Sequence, residues 1–497
     1  MLKKTISILL LMAMCLSLVL LTSCGGDEES SSMAEVSTGE GFPLEEKNWG
    51  GETITIYTFE KDGYGTYEIA GEVEDAESTD AVQDAFYDRN ALIEAKYGLK
   101  IEALLTDNYN TMIDDIRIAD STGIQDFQAV CCALTYVATA GVEGLLHDFN
   151  DLPYIDPSRE WWDQSCVRDL TINDKLWFLA GDIIVTDDEN TWAMFFNKDI
   201  VEKYATLTSP YDLVNEGNWT LDTMYEMIQE VQTMHGATMS FDPDVGDEWG
   251  LVGQSYNAYA LMLGAGQPMV TNDGDTITMR IQEEVNYAAF NKVFEILTDG
   301  AHVGVADFFG AWDSGVYNDQ STIFCNGNAL FMPTTITTVS SEKLREAEIR
   351  YGLLPMPKLD ADQDDYTTSV NVYWCNVLSV PKFNTEKLDA TCYALEAMAY
   401  YGMEIVTPEF YDRTLTYKRV QDEESAEMLD LIFRNRTYDL GAIFNFSDGR
   451  GNGSGMLYFY TNLLMSKQNT IVSSYESYAT AFQASIDELL NAVSGNE

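Results

Sequence analysis

The stretch "TITIYTF" (residues 53–59) alternates polar and apolar side chains, and it opens the pattern that decides the fold class. Alternation with a period of two is typical of a β-strand. Apolar residues then return at helical spacing over residues 80–97, with Asp80 as the expected N-cap and Gly98 as the stop. The next segments are a strand at 99–105, a helix at 110–119 and a strand at 127–134. This order predicts a parallel sheet covered by helices.

The rest of the chain continues to alternate between helices and strands. An amphipathic pattern predicts a helix from Thr220, its expected N-cap, to Gly236. Apolar segments bounded by proline or turn residues predict three strands, at 328–336, 349–358 and 370–382. Helical spacing returns at 385–402 and at 473–493. We therefore expect the α/β architecture to extend to the C-terminus.

The first residues have the layout of a secretory signal. Two lysines precede an apolar run that is shorter than the ~20 residues a membrane-spanning helix needs, and small residues follow it. The segment "LTSC" (residues 21–24) resembles the lipobox of bacterial lipoproteins, in which the cysteine becomes the acylated N-terminus. We therefore expect residues 1–23 to be removed and Cys24 to carry lipid at the outer face of the cell membrane. Residues 24–50 would then form a flexible acidic tether.

The composition bounds the class of protein. A chain of 497 residues that is 46% hydrophobic is long enough for two or three domains. Its 81 acidic and 28 basic residues give a net charge of -53, which repels nucleic acid and anionic lipid headgroups. Its cysteines and histidines show no zinc-binding spacing, and no nucleophile elbow or phosphate-binding loop occurs. We expect a monomer that needs no cofactor or metal and binds no nucleic acid.

Several segments together resemble one family, the extracellular solute-binding proteins of ABC importers, in the branch that includes maltose-binding protein. The segments are "DAVQDAFYDRNALIEAKYGLKIE" (80–102), "LLHDFNDLPYIDPSREWWDQS" (145–165), "FFNKDIVEKYA" (195–205), "YDLVNEGNWTLDTM" (211–224), "GNALFM…YGLLPMPK" (327–358) and "SVPK…ALEAMAYYG" (379–402). Their order and spacing resemble that family from about residue 51 to residue 493.

The resemblance implies a periplasmic-binding-protein-like fold of type II. Two α/β lobes would be joined by several crossing strands, and the ligand cleft between them would close by a hinge motion. By analogy, lobe one holds residues 51–181 and 351–407, and lobe two holds residues 182–350 and 408–497. The implied function is capture of a small solute, which we expect to be an oligosaccharide, and its delivery to the importer's permease.

Candidate ligand-binding residues follow from what a sugar needs. Its apolar ring faces stack on aromatic side chains, and its hydroxyls need carboxylates, amides or arginine. Such residues occur after strands, at the expected lobe crossing and in irregular or glycine-rich segments. They are Glu60, Tyr64, Tyr67, Trp161, Trp162, Asp163, Asp187, Trp192, Trp312, Asp313, Tyr373, Trp374, Asp448 and Arg450. Adjacent residues of a strand point to opposite faces, so we expect only one member of each pair, 161–162 and 373–374, to face the cleft.

Other classes of function stay open at this point. A secreted carbohydrate-active enzyme would use two of the many carboxylates, and a cell-surface glycan-binding protein would bind polymer without lobe closure. Within the solute-binding class, a peptide or a polyamine is the alternative to an oligosaccharide. We favour a solute-binding protein without enzymatic activity.

Overall fold

The computed structural model describes residues 41–60, 66–71, 80–311, 314–417, 423–447, 453 and 455–495. Within these residues, the strand predicted at 53–59 is the first strand. The predicted signal, Cys24 and the tether up to residue 40 lie outside the described residues. The strands of the described part are β1 (Glu52–Phe59), β2 (Leu99–Thr106), β3 (Ala129–Ala133), β4 (Trp192–Asn197), β5 (Trp249–Gly253), β6 (Val270–Asn272), β7 (Ile277–Met279), β8 (Val303–Val305), β9 (Ala329–Thr335), β10 (Tyr351–Leu354), β11 (Thr368–Ser369), β12 (Asn376–Ser379) and β13 (Arg436–Thr437).

Helices separate most of these strands. The α-helices of the described part are α1 (Ala81–Tyr97), α2 (Tyr109–Thr122), α3 (Leu134–Val142), α4 (Gln164–Leu170), α5 (Thr186–Glu189), α6 (Lys198–Lys203), α7 (Pro210–Asn215), α8 (Leu221–Glu230), α9 (Asn257–Gly264), α10 (Glu284–Thr298), α11 (Val316–Cys325), α12 (Glu342–Glu346), α13 (Leu388–Tyr401), α14 (Thr407–Tyr417), α15 (Glu423–Arg434), α16 (Leu440–Ile443), α17 (Phe459–Ser466) and α18 (Ile471–Ser494). Short 3-10 or π turns occupy Thr66–Ala70, Phe149–Asp151, Ala306–Phe308, Ile336–Ser340, Gly402–Val406 and Met456–Tyr458.

The first sheet has the strand order β12-β3-β1-β2. Its central strand β1 pairs in parallel with β2 and β3, as predicted, and β12 pairs antiparallel with β3. Helix α1 begins where the Asp80 carboxylate accepts a hydrogen bond from the Val82 N–H, and it ends at Gly98 in the left-handed conformation. These two caps are those that the sequence predicts, because capping depends on residues adjacent in the chain.

The second sheet has the strand order β10-β4-β9-β5-β8. Strand β4 pairs antiparallel with β10 and with β9, whereas β5 pairs in parallel with β9 and with β8. Its strands are buried, and one cluster of buried residues around Phe195, Trp249 and Phe324 packs against it. The predicted strand at 328–336 is β9, and its neighbour β10 lies within the predicted strand at 349–358.

The chain runs between the two sheets through a small crossing region. We define it as residues 186–191, 368–371 and 436–438. Strand β11 pairs in parallel with β13, and Thr191 forms an isolated antiparallel bridge with Val370. Three stretches that are distant in the sequence therefore lie side by side where the chain passes from one sheet to the other.

Three expectations differ from the structure. Helix α8 begins after the Thr220 cap, as predicted, but it ends at Glu230 rather than at residue 236, because Thr233 pairs with Glu248 in an antiparallel bridge. The strand expected at 370–382 shortens to β12, since residues 372–374 form a turn. Strand β10, which begins the segment expected in lobe one, pairs instead with β4 of the second sheet, and the lobe limits themselves stay a prediction.

Candidate functional site

A cavity of about 600 Å³ lies where strands of both sheets end. Phe59 ends β1, Thr335 ends β9, and Gln254 directly follows β5. Asn376 begins β12, which is antiparallel to β3 and therefore starts at the edge where the parallel strands of the first sheet end. In open α/β folds this edge is where ligands bind. The lining residues are Phe59, Tyr109, Thr186, Asn190, Trp192, Gln254, Tyr317, Thr334, Thr335, Thr337, Thr338, Asn371, Trp374 and Asn376.

A series of aromatic contacts connects three lining residues of this cavity, Phe59, Tyr109 and Trp192. Phe59 stacks on Tyr109 at 3.8 Å between ring centroids, and Tyr109 stacks on Tyr136 at 4.4 Å. Tyr373 contacts Tyr136 and Tyr256, each at 6.4 Å. The series ends at Trp192, whose ring lies 5.6 Å from Tyr256. We call these six rings, Phe59, Tyr109, Tyr136, Tyr373, Tyr256 and Trp192, the aromatic wall.

Between the aromatic rings the cavity is lined by uncharged hydrogen-bonding groups. These are the hydroxyls of threonine and tyrosine and the amides of asparagine and glutamine. Among the described lining residues none carries a formal charge. The carboxylate of Asp307 lies one contact further out, where it accepts hydrogen bonds from the Tyr317 hydroxyl at 2.7 Å and from the Ser255 N–H at 2.6 Å.

A turn contains Tyr373 and Trp374. The Asn371 N–H donates to the Asn190 carbonyl at 2.8 Å, and the Asn190 side-chain amide donates to the Trp374 carbonyl at 3.1 Å. The side-chain oxygen of Asn371 also accepts from the Tyr373 N–H at 3.2 Å. These residues form a turn rather than the expected strand. Trp374 lines the cavity with 41% of its surface exposed, whereas Tyr373 contacts other rings of the aromatic wall and is not among the lining residues.

The predicted candidates therefore separate into groups. Trp192 and Trp374 line the cavity, Tyr373 belongs to the aromatic wall, and Glu60 directly follows the lining residue Phe59. Others lie outside the described residues, namely Tyr64, Trp312, Asp313, Asp448, Arg450 and the side chain of Tyr67. The ligand-binding role of each of these stays a prediction.

The pair Trp161 and Trp162 lies elsewhere, and not in a strand. Both side chains are buried, with 4% and 1% of their surface exposed. The Trp162 indole N–H donates to Glu396 at 3.0 Å, and Trp161 packs edge-on against Tyr400. Both line a second cavity of about 230 Å³, separate in its lining from the first. We expected one of them to face the ligand cleft, but neither lines the first cavity.

Asp163 and Asp187 belong to a cluster of buried charges around Arg436. Its guanidinium lies 2.6 Å from Asp163, 2.6 Å from Asp188 and 3.4 Å from Asp187. The Thr191 hydroxyl is 3.2 Å away. Burial would raise the pKa of Asp163, but the Arg436 charge and hydrogen bonds hold it below its ordinary value, whereas burial raises the pKa of Asp187. We call these residues the arginine cluster, and it ties the crossing region together.

The sequence did not single out several lining residues, including Phe59, Tyr109 and the threonines after β9. Phe59 reads as the apolar end of a strand, and Tyr109 as the start of a helix. A signal was available, since both lie at the carboxyl ends of adjacent parallel strands. Their convergence with Thr334 and Gln254 depends on the pairing of two sheets, which periodicity alone does not reveal.

The described residues place limits on other chemistry. No group of three His, Cys, Asp or Glu side chains in that part of the chain is arranged to hold a metal ion. Its six cysteines, Cys131, Cys132, Cys166, Cys325, Cys375 and Cys392, are all free. No helix within the same ranges has both the length and the apolar character needed to cross a membrane.

Comparison with known proteins places the chain among binding proteins. A model of the family described as bacterial extracellular solute-binding protein matches residues 91–401. Comparison with curated proteins gives no match. The matched region runs from within α1 to the end of α13. It contains every strand of the two sheets except β1, and it also contains most of the residues that line the cavity.

Solved structures share the fold at low sequence identity. A cyclo/maltodextrin-binding protein complexed with maltotetraose is 13% identical, with a TM-score of 0.53 and a match covering 88% of this chain and 96% of that one. An ABC substrate-binding protein from Listeria monocytogenes in complex with cycloalternan is 14% identical, with a TM-score of 0.52 and coverage of 90% and 100%. The GacH receptor of Streptomyces glaucescens, solved unliganded and with acarbose, is 14% identical, with a TM-score of 0.53 and coverage of 88% and 98%. The chain thus has the two-lobed α/β fold of type II periplasmic-binding-protein-like proteins.

Proposed function

The chain belongs to the bacterial extracellular solute-binding protein family, and we propose that it captures an oligosaccharide in the cavity between its two sheets and delivers it to the permease of an ABC importer. The observation that carries the proposal is the cavity lining, which sets aromatic rings beside neutral hydroxyl and amide groups. Sugar rings have apolar faces that stack on aromatic side chains and hydroxyls that need hydrogen-bonding partners. The similar structures complexed with maltotetraose, cycloalternan and acarbose support the same class of ligand.

The two main sheets support a division of the chain into two lobes. We assign residues 51–181 and the segment from residue 355 to 407 to lobe one, and the second sheet with its helices, from residue 182 to 354 and from 408 to 497, to lobe two. The crossing region would serve as the hinge, and closure of the lobes would exclude water from the cavity. The protein would act as a monomer and without catalysis, because binding and release are all that delivery requires.

A ligand screen tests this function. Protein that begins after the lipid-bearing cysteine, residues 25–497, is heated with oligosaccharides, with peptides and with polyamines, and the melting temperature is recorded. An oligosaccharide is expected to raise the melting temperature because it binds the folded state alone. At a ligand concentration 100 times the Kd, binding adds about 3 kcal/mol to the free energy of unfolding. A small-angle scattering profile that contracts on addition of the same sugar would add support for lobe closure.

Trp374→Ala links the screen to the cavity. Loss of this partly exposed ring should weaken oligosaccharide binding about tenfold to thirtyfold, in the range of an aromatic contact residue. Tyr87→Ala is the matched control, since Tyr87 is 56% exposed on α1 and does not line the cavity. If peptides or polyamines raise the melting temperature and no sugar does, or if sugar turnover is detected, the proposed function is wrong.

We also propose that lipid on Cys24 anchors the protein at the outer face of the cell membrane. The lipobox-like segment at residues 21–24 and the acidic, glycine-rich and serine-rich tether support this proposal. Cys24→Ala should move the protein out of the membrane fraction, or leave the signal uncleaved, while affinity for the ligand stays the same. Continued membrane attachment with normal processing would contradict the anchor.

A further inference from the structure

Three residues of the cavity wall each hold a buried polar atom without a hydrogen-bond partner in the described part of the chain. They are the Thr186 hydroxyl oxygen Oγ1, the Trp192 indole nitrogen Nε1 and the Asn376 amide oxygen Oδ1. All three residues line the cavity, and their side chains are more than nine-tenths buried. An unpaired buried polar group costs about 1–3 kcal/mol, so three on one wall need a reason.

The backbone fixes the position of each of these residues. The Thr186 N–H donates to Glu68 at 3.1 Å at the start of α5. Trp192 pairs with Thr335 between β4 and β9, and Asn376 pairs with Ala133 between β12 and β3. The three atoms thus come from the crossing region and from both sheets, and they are held in place before any ligand arrives. Such preorganisation lowers the cost of ordering a bound molecule.

The chemical types of the three atoms differ in a way that selects the ligand. The indole N–H only donates, the amide oxygen only accepts, and the threonine hydroxyl does both. A ligand hydroxyl can satisfy either kind of group. A carboxylate only accepts and an ammonium only donates, so each leaves one of the wall atoms unpaired. Either charge would also be buried beside described lining residues that carry no opposite charge, which is costly.

We propose that Thr186, Trp192 and Asn376 are specificity-determining residues that select an uncharged, hydroxyl-bearing sugar and reject its acidic and amino counterparts. This inference rests on the proposed function, since it names the class of sugar that the same cavity takes. It assigns to the cavity wall a discrimination by charge, in addition to the stacking that the aromatic wall supplies.

Matched sugars test the inference on the unaltered protein. The probes are glucose tetrasaccharides in α-1,4 and in β-1,4 linkage, each beside the counterpart oxidised to uronate at carbon 6 and the counterpart carrying 2-amino groups. Calorimetry should show the neutral sugar of the preferred linkage binding at least about thirtyfold tighter than both charged counterparts, since leaving a site's polar group unpaired costs about 2 kcal/mol. The difference should persist in high salt, because it comes from the buried wall rather than from the acidic surface.

Three variants assign the selection to the named residues. Thr186→Val and Trp192→Phe each remove one unpaired atom, so each should weaken binding of the neutral tetrasaccharide about tenfold without lowering the melting temperature of the ligand-free protein. Asn376→Asp should shift preference toward the amino sugar by about tenfold or more at about pH 8, where a buried carboxyl is largely ionised. Thr298→Val is the control, because the Thr298 hydroxyl donates within α10 to Phe294 and lies outside the cavity.

The outcomes separate this inference from the proposed function. If uronate or amino sugars bind as tightly as the neutral sugar, the charge selection is wrong while the oligosaccharide function stands. The inference also fails if the three variants lower stability and affinity together and leave the preference among sugars unchanged, since that pattern indicates packing alone. If no carbohydrate of any charge binds and a peptide or polyamine does, the proposed function fails with it.

Discussion

At the scale of single residues, Arg436 forms ion pairs with three carboxylates in the described structure. Its side chain is buried, and it faces the carboxylates of Asp163, Asp187 and Asp188. Burial lowers the pKa of a guanidinium, but Asp163, Asp187 and Asp188 raise the pKa of Arg436 well above its ordinary value, so it stays charged. Burial raises the pKa of Asp187, whereas at Asp163 the Arg436 charge and several hydrogen bonds outweigh burial and hold the pKa below its ordinary value.

Replacing this arginine should be costly. Arg436→Met is expected to lower the free energy of unfolding by about 3–5 kcal/mol, because it leaves buried carboxyl groups without a counter-charge. Arg436→Lys should cost less, since it keeps the charge and loses the planar fork that contacts several carboxylates. Urea denaturation measures both.

Arg117→Met is the matched control for that prediction. Arg117 pairs with Asp114 and Glu143 at the surface, at 2.7 and 2.6 Å. Exposed ion pairs contribute only about 0–1 kcal/mol, so this variant should remain close to wild type. Equal losses for Arg117 and Arg436 would show that the arginine cluster does not support the crossing region.

At the scale of elements, the end of helix α13 packs through a glycine against the chain at Asp182. A Cβ on Gly402, directly after α13, would lie about 1.8 Å from the Asp182 carbonyl oxygen. Real Cβ atoms do not approach backbone this closely, so the end of α13 and the backbone at Asp182 would have to separate. The close approach lets α13 lie directly against the chain where it leaves the first sheet.

Gly402→Ala should therefore destabilise the protein. Overpacking against backbone costs about 1–3 kcal/mol, which thermal and urea unfolding can resolve. Gly300→Ala is the matched control, because a Cβ there meets nothing within 4 Å and its φ is not positive. That variant should be neutral or slightly stabilising. If the two alanine variants unfold alike, the packing of α13 against Asp182 is not as close as described.

At the scale of the whole molecule, buried carboxyl groups should make stability depend on pH. Burial raises the pKa of Glu68, Asp182, Glu396 and Asp439 to about 7 in each case. Between the ordinary carboxyl value and about 7, the folded protein therefore holds more protons than the unfolded chain. The free energy of unfolding must then fall as pH rises through this window, by on the order of 1 kcal/mol per pH unit for each group. His147 acts in the opposite direction, because burial lowers its pKa.

The protein should thus resist urea better at about pH 5 than at about pH 7.5. Glu396→Gln should reduce this pH dependence, since the amide still accepts from the Trp162 indole N–H but does not titrate. Glu226→Gln on the exposed face of α8 is the control and should leave the dependence unchanged. Stability that increases from pH 5 to pH 7.5 would contradict the assignment of raised pKa values.

The sequence by itself determined the local structure and the class of fold. Residues within a few positions of one another decide periodicity and capping, so the strand at β1, the caps at Asp80 and Gly98, and the cap at Thr220 could all be predicted. The ordered segments that resemble solute-binding proteins led to the right family and to two lobes. Trp192, chosen at the expected lobe crossing, and Trp374, chosen in an expected strand, line the cavity, and their role in ligand binding stays a prediction.

Only the tertiary structure decided which side chains meet. The Trp162 indole N–H donates to Glu396, 234 positions away in the chain, and this contact holds the tryptophan side chain in the core. Phe59, Gln254, Thr335 and Asn376 converge on one cavity because two sheets present strand ends to each other. Contacts of this kind depend on sheet pairing between distant segments, and no local pattern records them. The physical reason is that the periodicity of apolar side chains depends on residues close in sequence, whereas a binding site is formed by residues that are close in space.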